Sequence, residues 1–258
     1  MTNILVGDFI LLLLVFLRII SAFLAAPIFS DESFPAVAKI FLAFVISYIV
    51  FLTIKANTTA FQFNIWWLFL NAIKEIATGL VLGFSLNFVF SGIQYAGTLI
   101  GFDMGLSMAE VLNPGSQSQN NIIGEILYFS AILIFFMING HHYLIRALAL
   151  TFKVVPIGSF TMSLPLHLLL VKMAGSVFII AVKIASPIMV SFFLIHIAEG
   201  IIAKVIPQMQ VFFVTQPIKI GAGLLLLVSI APIYVYVIKN LLKTCEDDLY
   251  SIIKAMAT

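Results

Sequence analysis

The stretch that decides the fold is ILVGDFILLLLVFLRIISAFLAA, Ile4–Ala26. A helix that crosses a bilayer needs about 20 consecutive, mostly apolar residues, and this run supplies them. It also carries Arg18 with long apolar stretches on both sides. A guanidinium at the centre of a lipid-facing helix costs about 2.5–3.5 kcal/mol on insertion scales. The run therefore reads as a membrane helix with one face turned to protein. No Lys or Arg precedes Arg18, and Asp8 lies inside the run. A cleavable leader would begin with a basic region, so this segment is expected to be retained.

The rest of the chain follows suit. Of 258 residues, 62% are hydrophobic and 9% charged, against roughly 25% charged in average soluble chains. The mean hydropathy is +1.18. Six apolar blocks are long enough to matter: Ile4–Ala26, Ala36–Ile54, Ile65–Ile100, Ile122–Ile138, Leu164–Ala198 and Val211–Ile238. We expect an all-α chain, a single membrane-embedded helical domain over residues 1–258 with a polar C-terminal tail from about 239. The third and fifth blocks exceed one span. Each is either a long tilted helix or a hairpin of two shorter ones. Lys183 and Pro187 mark the expected break in the fifth, because proline removes a helix hydrogen bond. Gly92 and Gly97 are weaker candidates in the third. With six spans, the positive-inside rule puts Lys55, Arg146, Lys153, Lys239, Lys243 and Lys254 in the cytoplasm and Lys39 and Lys204 outside.

Charges also lie within the blocks: Asp8, Arg18, Lys39, Lys74, Glu75, Lys183 and Lys219. Snorkelling at helix ends covers Asp8, Lys39 and Lys74. Arg18 and Lys183 are expected to be buried against other helices. Gly97, Gly101 and Gly105 repeat at four-residue spacing, as do Gly79 and Gly83, which places small residues on one helix face where another backbone can approach. The neighbour is either in this chain or in another.

Between the third and fourth blocks lies LSMAEVLNPGSQSQNN, Leu106–Asn121. Asn113-Pro114-Gly115 is a turn signal, and Ser116, Gln117, Ser118, Gln119 and Asn120 are uncharged hydrogen-bonding residues. Met108 is a flexible gap-filler beside them. The segment reads as a solvent-exposed connector or as a plug in a water-filled path; irregular backbone at membrane depth needs protein or water around it.

Motifs for chemistry are missing. There is no HExxH, no His/Cys set at metal-ligand spacing and no phosphate-binding loop. Neighbouring His141 and His142 diverge on a helix and read as interfacial or hydrogen-bonding residues, so neither metal nor cofactor is expected. Asp103, Glu125 and Glu199 sit at block edges and read as solvated or capping. The net charge of +2 and the lack of a basic run give no reason to expect nucleic acid. Lone Cys245 forms no intrachain disulfide.

Five stretches together resemble the FliR/SctT family of type III protein-export gate subunits. They are FLRIISAFLAAPIFS (Phe16–Ser30), KEIATGLVLGF (Lys74–Phe84), IQYAGTLIGFDMGLSMAEVLNP (Ile93–Pro114), INGHHYLIRALALTFKVVPIG (Ile138–Gly158) and AEGIIAKVIPQMQVFFVTQPIKIGAGLLLL (Ala198–Leu227). They run in the family's order and cover most of the chain. Asn113 stands where the family often has Asp, and Gln210 where many members have Asn. The resemblance implies a non-enzymatic subunit built of membrane helical hairpins. It would assemble with FliP-like and FliQ-like proteins into a helical gate, wrapped by an FlhB-like protein, through which unfolded proteins pass. The place would be the bacterial inner membrane, in lipid, at the flagellar basal body. It also implies that the polar stretch with Leu106, Ser107, Met108, Asn113, Pro114, Gly115 and Ser116–Asn120 is a plug that seals the channel before secretion. The alternative is a stand-alone secondary transporter of a small solute or proton. That architecture shows broken helices in matching halves, and the sequence offers only the single Lys183–Pro187 candidate.

Overall fold

The computed structural model describes residues 2–30, 35–54, 64–106, 121–208 and 210–256. Among them the secondary structure is helical, with no strand. The helices are α1 (Thr2–Ala25), α2 (Pro27–Ser30), α3 (Ala36–Ile54), α4 (Ile65–Asp103), α5 (Ile122–Met137), α6 (Gly140–Val154), α7 (Leu164–Val205) and α8 (Val211–Ala255). Five are long and apolar enough to cross a membrane, and α5 with α6 makes a sixth if the pair counts as one span.

The over-long blocks are single helices, not hairpins. Helix α4 runs 39 residues without a break at Gly92 or Gly97. Helix α7 runs 42 residues straight through the break expected at Lys183 and Pro187. The reason is local. Pro187 has no N–H to give to the Lys183 carbonyl four residues back. The Ser186 hydroxyl donates to that carbonyl, at 3.0 Å, and satisfies the orphaned acceptor; α8 likewise continues through Pro217 and Pro232. Hydroxyls elsewhere in the apolar helices bond back to carbonyls four residues earlier: Ser47 to that of Ala43, Thr78 to that of Lys74 and Ser130 to that of Ile126.

Helix α6 was not among the apolar blocks, because Arg146, Lys153 and two histidines interrupt its sequence. Its apolar residues keep helical spacing, and Leu144, Ala147, Leu148 and Phe152 are buried. Asn139, in the left-handed region at φ 59°, starts it. The polar C-terminal tail is likewise a helix, the last part of α8. Leu242, Cys245, Leu249, Ile252 and Met256 are buried at three- and four-residue intervals, one apolar stripe of an amphipathic helix.

The chain forms two compact units. The first comprises Met1–Phe88, Asn139–Met173 and Lys243–Thr258. Its core is built from Leu14, Ile19 and Phe23 of α1, Leu82 and Leu86 of α4, Leu144 and Leu148 of α6, and Ile252 and Ile253 of α8. Helix α1 also packs on α3, and the Phe23 and Phe29 rings stack with centroids 4.4 Å apart. The second unit comprises Val89–Ile138 and Ala174–Leu242. Phe90 lies at its centre, fully buried, edge-on to Tyr128 at 6.1 Å and Phe135 at 5.8 Å. Large apolar side chains also cover the outside, Phe41 at 68% and Leu225 at 72% exposure among them. Such surface is compatible with lipid or a protein partner and not with water.

Within the first unit Ser163 fastens two helix ends. Its hydroxyl donates to the Ala255 carbonyl at the end of α8 (2.8 Å) and accepts the Leu166 N–H at the start of α7 (3.4 Å). Replacing a capping Ser by Ala costs about 0.5–2 kcal/mol. We expect Ser163→Ala to lower the unfolding free energy by about 1 kcal/mol and to speed carboxypeptidase removal of the last turn of α8. Unchanged digestion would show that the apolar stripe alone holds that helix down.

Candidate functional site

Two features carry the polar chemistry, one in each unit. In the first unit, Arg18 of α1 and Glu75 of α4 are both fully buried, and Nε lies 2.6 Å from Oε2. The pair grips the irregular turn that follows α6. Arg18 Nη1 donates to the Val155 carbonyl at 3.0 Å and to the Thr151 hydroxyl at 3.3 Å. The second oxygen of Glu75 accepts the Gly158 N–H at 2.9 Å. Lys74, expected to snorkel, instead donates to the Gly158 carbonyl at 2.9 Å. The Phe152 ring lies 4.3 Å from the Arg18 guanidinium carbon and adds a cation–π contact. Gly158 sits at φ +81°, where another residue would be strained, and a Cβ there would push the Asn71 amide aside.

The glycines of α4 make this approach possible. Glu75, Gly79 and Gly83 lie on one stripe, at i, i+4 and i+8. A Cβ at Gly79 would fall on Ser21 and on the Arg18 carbonyl; one at Gly83 would fall 2.5 Å from the Ala25 side chain. The contacts advance together along both helices, so α1 and α4 run parallel here, and the neighbour of this glycine pair lies in the same chain. The Arg18–Glu75 partnership was not named from the sequence, since 57 residues separate the two. The available signal was an acid on the same stripe as two packing glycines.

In the second unit, the end of α4 runs antiparallel to the start of α5. Gly97 meets the backbone of Gly124, and Gly101 meets the side chain of Asn121. Asn121 is the N-cap of α5, its Oδ1 accepting the Ile123 N–H at 3.0 Å. Gly105 is not a third rung of the helical ladder. It stands at φ +79° beyond the end of α4, where the Leu106 N–H reaches the Gly101 carbonyl and the Gly105 N–H that of Phe102. This is the hydrogen-bond pattern of a glycine-terminated helix. A Cβ at Gly105 would strike Gln216 of α8, whose Nε2 donates to the Met104 carbonyl at 3.2 Å. Leu106 is thus the last described residue of this arm. Ser107, Met108, Asn113, Pro114, Gly115, Ser116, Gln117, Ser118, Gln119 and Asn120 lie outside the described residues.

Other charges find different places from those expected. Glu199, read as solvated or capping, is ion-paired to Lys219 of α8 at 2.7 Å, with side chains 18% and 6% exposed. Opposite charges in two apolar helices offset part of their desolvation by pairing. Lys183 is exposed on α7, so this chain does not bury it; the helix face that carries it packs on nothing described. Glu125 lies in the first turn of α5, where an acid favours the helix dipole. The His141 and His142 rings are tilted against each other at 4.2 Å. Among the described residues no three metal-ligating side chains come together.

The sequence model of the family described as "Bacterial export proteins, family 1" matches residues 9–245. The chain is similar to the flagellar biosynthetic protein FliR of Bacillus subtilis (strain 168), 30% identical over 244 residues and covering 93% of both chains. It is also similar to FliR of Escherichia coli (strain K12), 31% identical over 218 residues, or 84% of this chain and 82% of the relative. FliR of Aquifex aeolicus (strain VF5) is 29% identical over 232 residues, 90% and 89% of the two chains.

Breaking a buried ion pair by removing one partner costs about 3–5 kcal/mol. Arg18→Met is therefore expected to lower thermal stability in detergent by that amount. Glu75→Gln, which still offers an acceptor to Gly158, is expected to cost less than Glu75→Leu. Equal losses for the two Glu75 variants would mean that the Gly158 bond contributes nothing. In the second unit, Gly101→Ala forces Asn121 off its capping position, a loss of about 1 kcal/mol. Amide exchange at Ile123 and Gly124 is expected to quicken, and Gly101→Leu to quicken it further.

Proposed function

We propose, from the premise that this chain belongs to the bacterial export proteins of family 1, that it is a structural subunit of a flagellar type III export gate. The chain is a multi-pass inner-membrane protein of that apparatus, as its FliR relatives and its five or six apolar helices support. The observation that carries the reading is the family match from residue 9 to residue 245, which includes both polar features described above. In this proposal the subunit assembles with FliP-like and FliQ-like proteins into the channel for unfolded proteins, and an FlhB-like protein contacts the gate. The chain itself performs no catalysis, and energy comes from other components.

The segment 107–120 is the proposed plug. What supports this is the placement of its two anchors. Leu106 leaves α4 five residues after Gly101, and Asn121, which begins the return, lies on Gly101 itself. The excursion therefore starts and ends at one place, held there by the glycine-terminated helix end, the Asn121 cap and Gln216. A connector needed only to join adjacent ends could be far shorter, since antiparallel helices are joined by loops of about 2–8 residues. The extra length, rich in uncharged hydrogen-bonding side chains, suits a polar stopper in a water-filled path.

Deleting Asn113–Asn120 is expected to leave assembly intact and to make cells leak small ions. Membrane conductance equal to that of the wild type would overturn the plug assignment and leave the subunit assignment standing. A chain that purifies alone, monodisperse and active in liposomes, would instead favour a secondary transporter.

A further inference from the structure

The geometry points to the α7 face bearing Lys183 as a docking surface for a transmembrane helix of another protein, one that brings an Asp or Glu to pair with Lys183. This rests on the export-gate reading. Lys183 lies near the middle of α7 and is exposed. The nearest charges on the helix are Lys172 and Glu199, about 16 Å and 24 Å away along its axis at 1.5 Å per residue. Its neighbours on the exposed surface are apolar: Phe178 at 74%, Ile179, Val182 and Val190. No hydrogen bond or ion pair engages its ammonium group among the described residues. By contrast, Arg18 and Lys219, also within apolar helices, each have an acidic partner in the chain.

A lone cation inside an apolar face is disfavoured against lipid, and this face is shaped to receive a helix. Gly175, Ile179, Lys183, Ser186 and Val190 follow one another at three- and four-residue spacing, one stripe of the helix. A Cβ at Gly175 would meet nothing within 4 Å, so a second backbone can come close there. Beside the cation, the Ser186 hydroxyl and the Lys183 carbonyl freed by Pro187 make a small polar patch. A carboxylate at matching depth accepts from both the ammonium and, on rotation of the hydroxyl, Ser186. A partner of opposite charge is what these groups select.

The test uses the full chain expressed in cells that contain the assembled export apparatus. First, the wild-type chain is checked for recovery with other membrane proteins in detergent; if it is recovered alone, the gate reading fails, and this inference with it. Given recovery, Lys183→Glu is expected to reduce co-isolated complex at least about tenfold, as like charges at a packed interface cost more than 1.4 kcal/mol. Lys183→Met is expected to reduce it less, and Lys183→Arg to change it by no more than about twofold. Abundance of the chain in the membrane should be unchanged in all three, because Lys183 has no partner inside the described chain. A photo-crosslinking residue at Val182 should capture a second protein at an apolar segment containing Asp or Glu. Wild-type complex yield from Lys183→Glu overturns the inference. So does capture of phospholipid only, or of this chain's own segment 107–120.

Discussion

The first unit depends on a backbone problem solved by charge. The turn after α6 is irregular and partly buried, with Val155 buried, Gly158 half-buried and Pro156 and Ser159 exposed, so part of its backbone is shielded from water. Unpaired, each such group would be costly to bury. Arg18 takes the Val155 carbonyl, Glu75 the Gly158 N–H and Lys74 the Gly158 carbonyl. The ion pair between Arg18 and Glu75 holds this donor and this acceptor in place against the turn. A buried salt bridge is weak evidence of stability by itself. Here its value is positional, since it fixes one turn against two helices that glycine allows to lie side by side.

The second unit uses neutral groups for the same purpose. Backbone meets backbone at Gly97 and Gly124, and the Asn121 side chain fills the space above Gly101 while capping α5. Gln216 closes the set by bonding the Met104 carbonyl beside the glycine-terminated end of α4. The two ends of segment 107–120 are thus held by interactions that do not involve the segment.

Much of this was legible in the sequence, and the failures have physical causes. Apolar block lengths located α1, α3, α4, α5, α7 and α8, because hydrophobic run length is the strongest membrane signal. Helix α6 escaped because its helical periodicity is carried by a few apolar residues between charges. The break expected at Pro187 did not occur, as none occurs at Pro217 or Pro232 of α8: a proline in a long apolar helix leaves one carbonyl without its helical partner and does not by itself end the helix. The glycine stripes indicated close packing but not the partner, which depends on tertiary arrangement. Gly105 looked like a third rung, although in fact only its backbone sign distinguishes a terminator from a packing residue. Arg18 was recognised as needing burial, yet its acid lay 57 residues away. Lys183 shared the same sequence signature and has a different environment, exposed on α7.

The length of the three longest helices has its own consequence. Spanning 39, 42 and 45 residues, they measure about 58–68 Å at 1.5 Å per residue, roughly twice the thickness of a hydrocarbon layer. The apolar runs within α4 and α7 alone hold well over the roughly 20 residues that one crossing uses. The surplus apolar surface needs a cover other than acyl chains, and a neighbouring protein helix is such a cover.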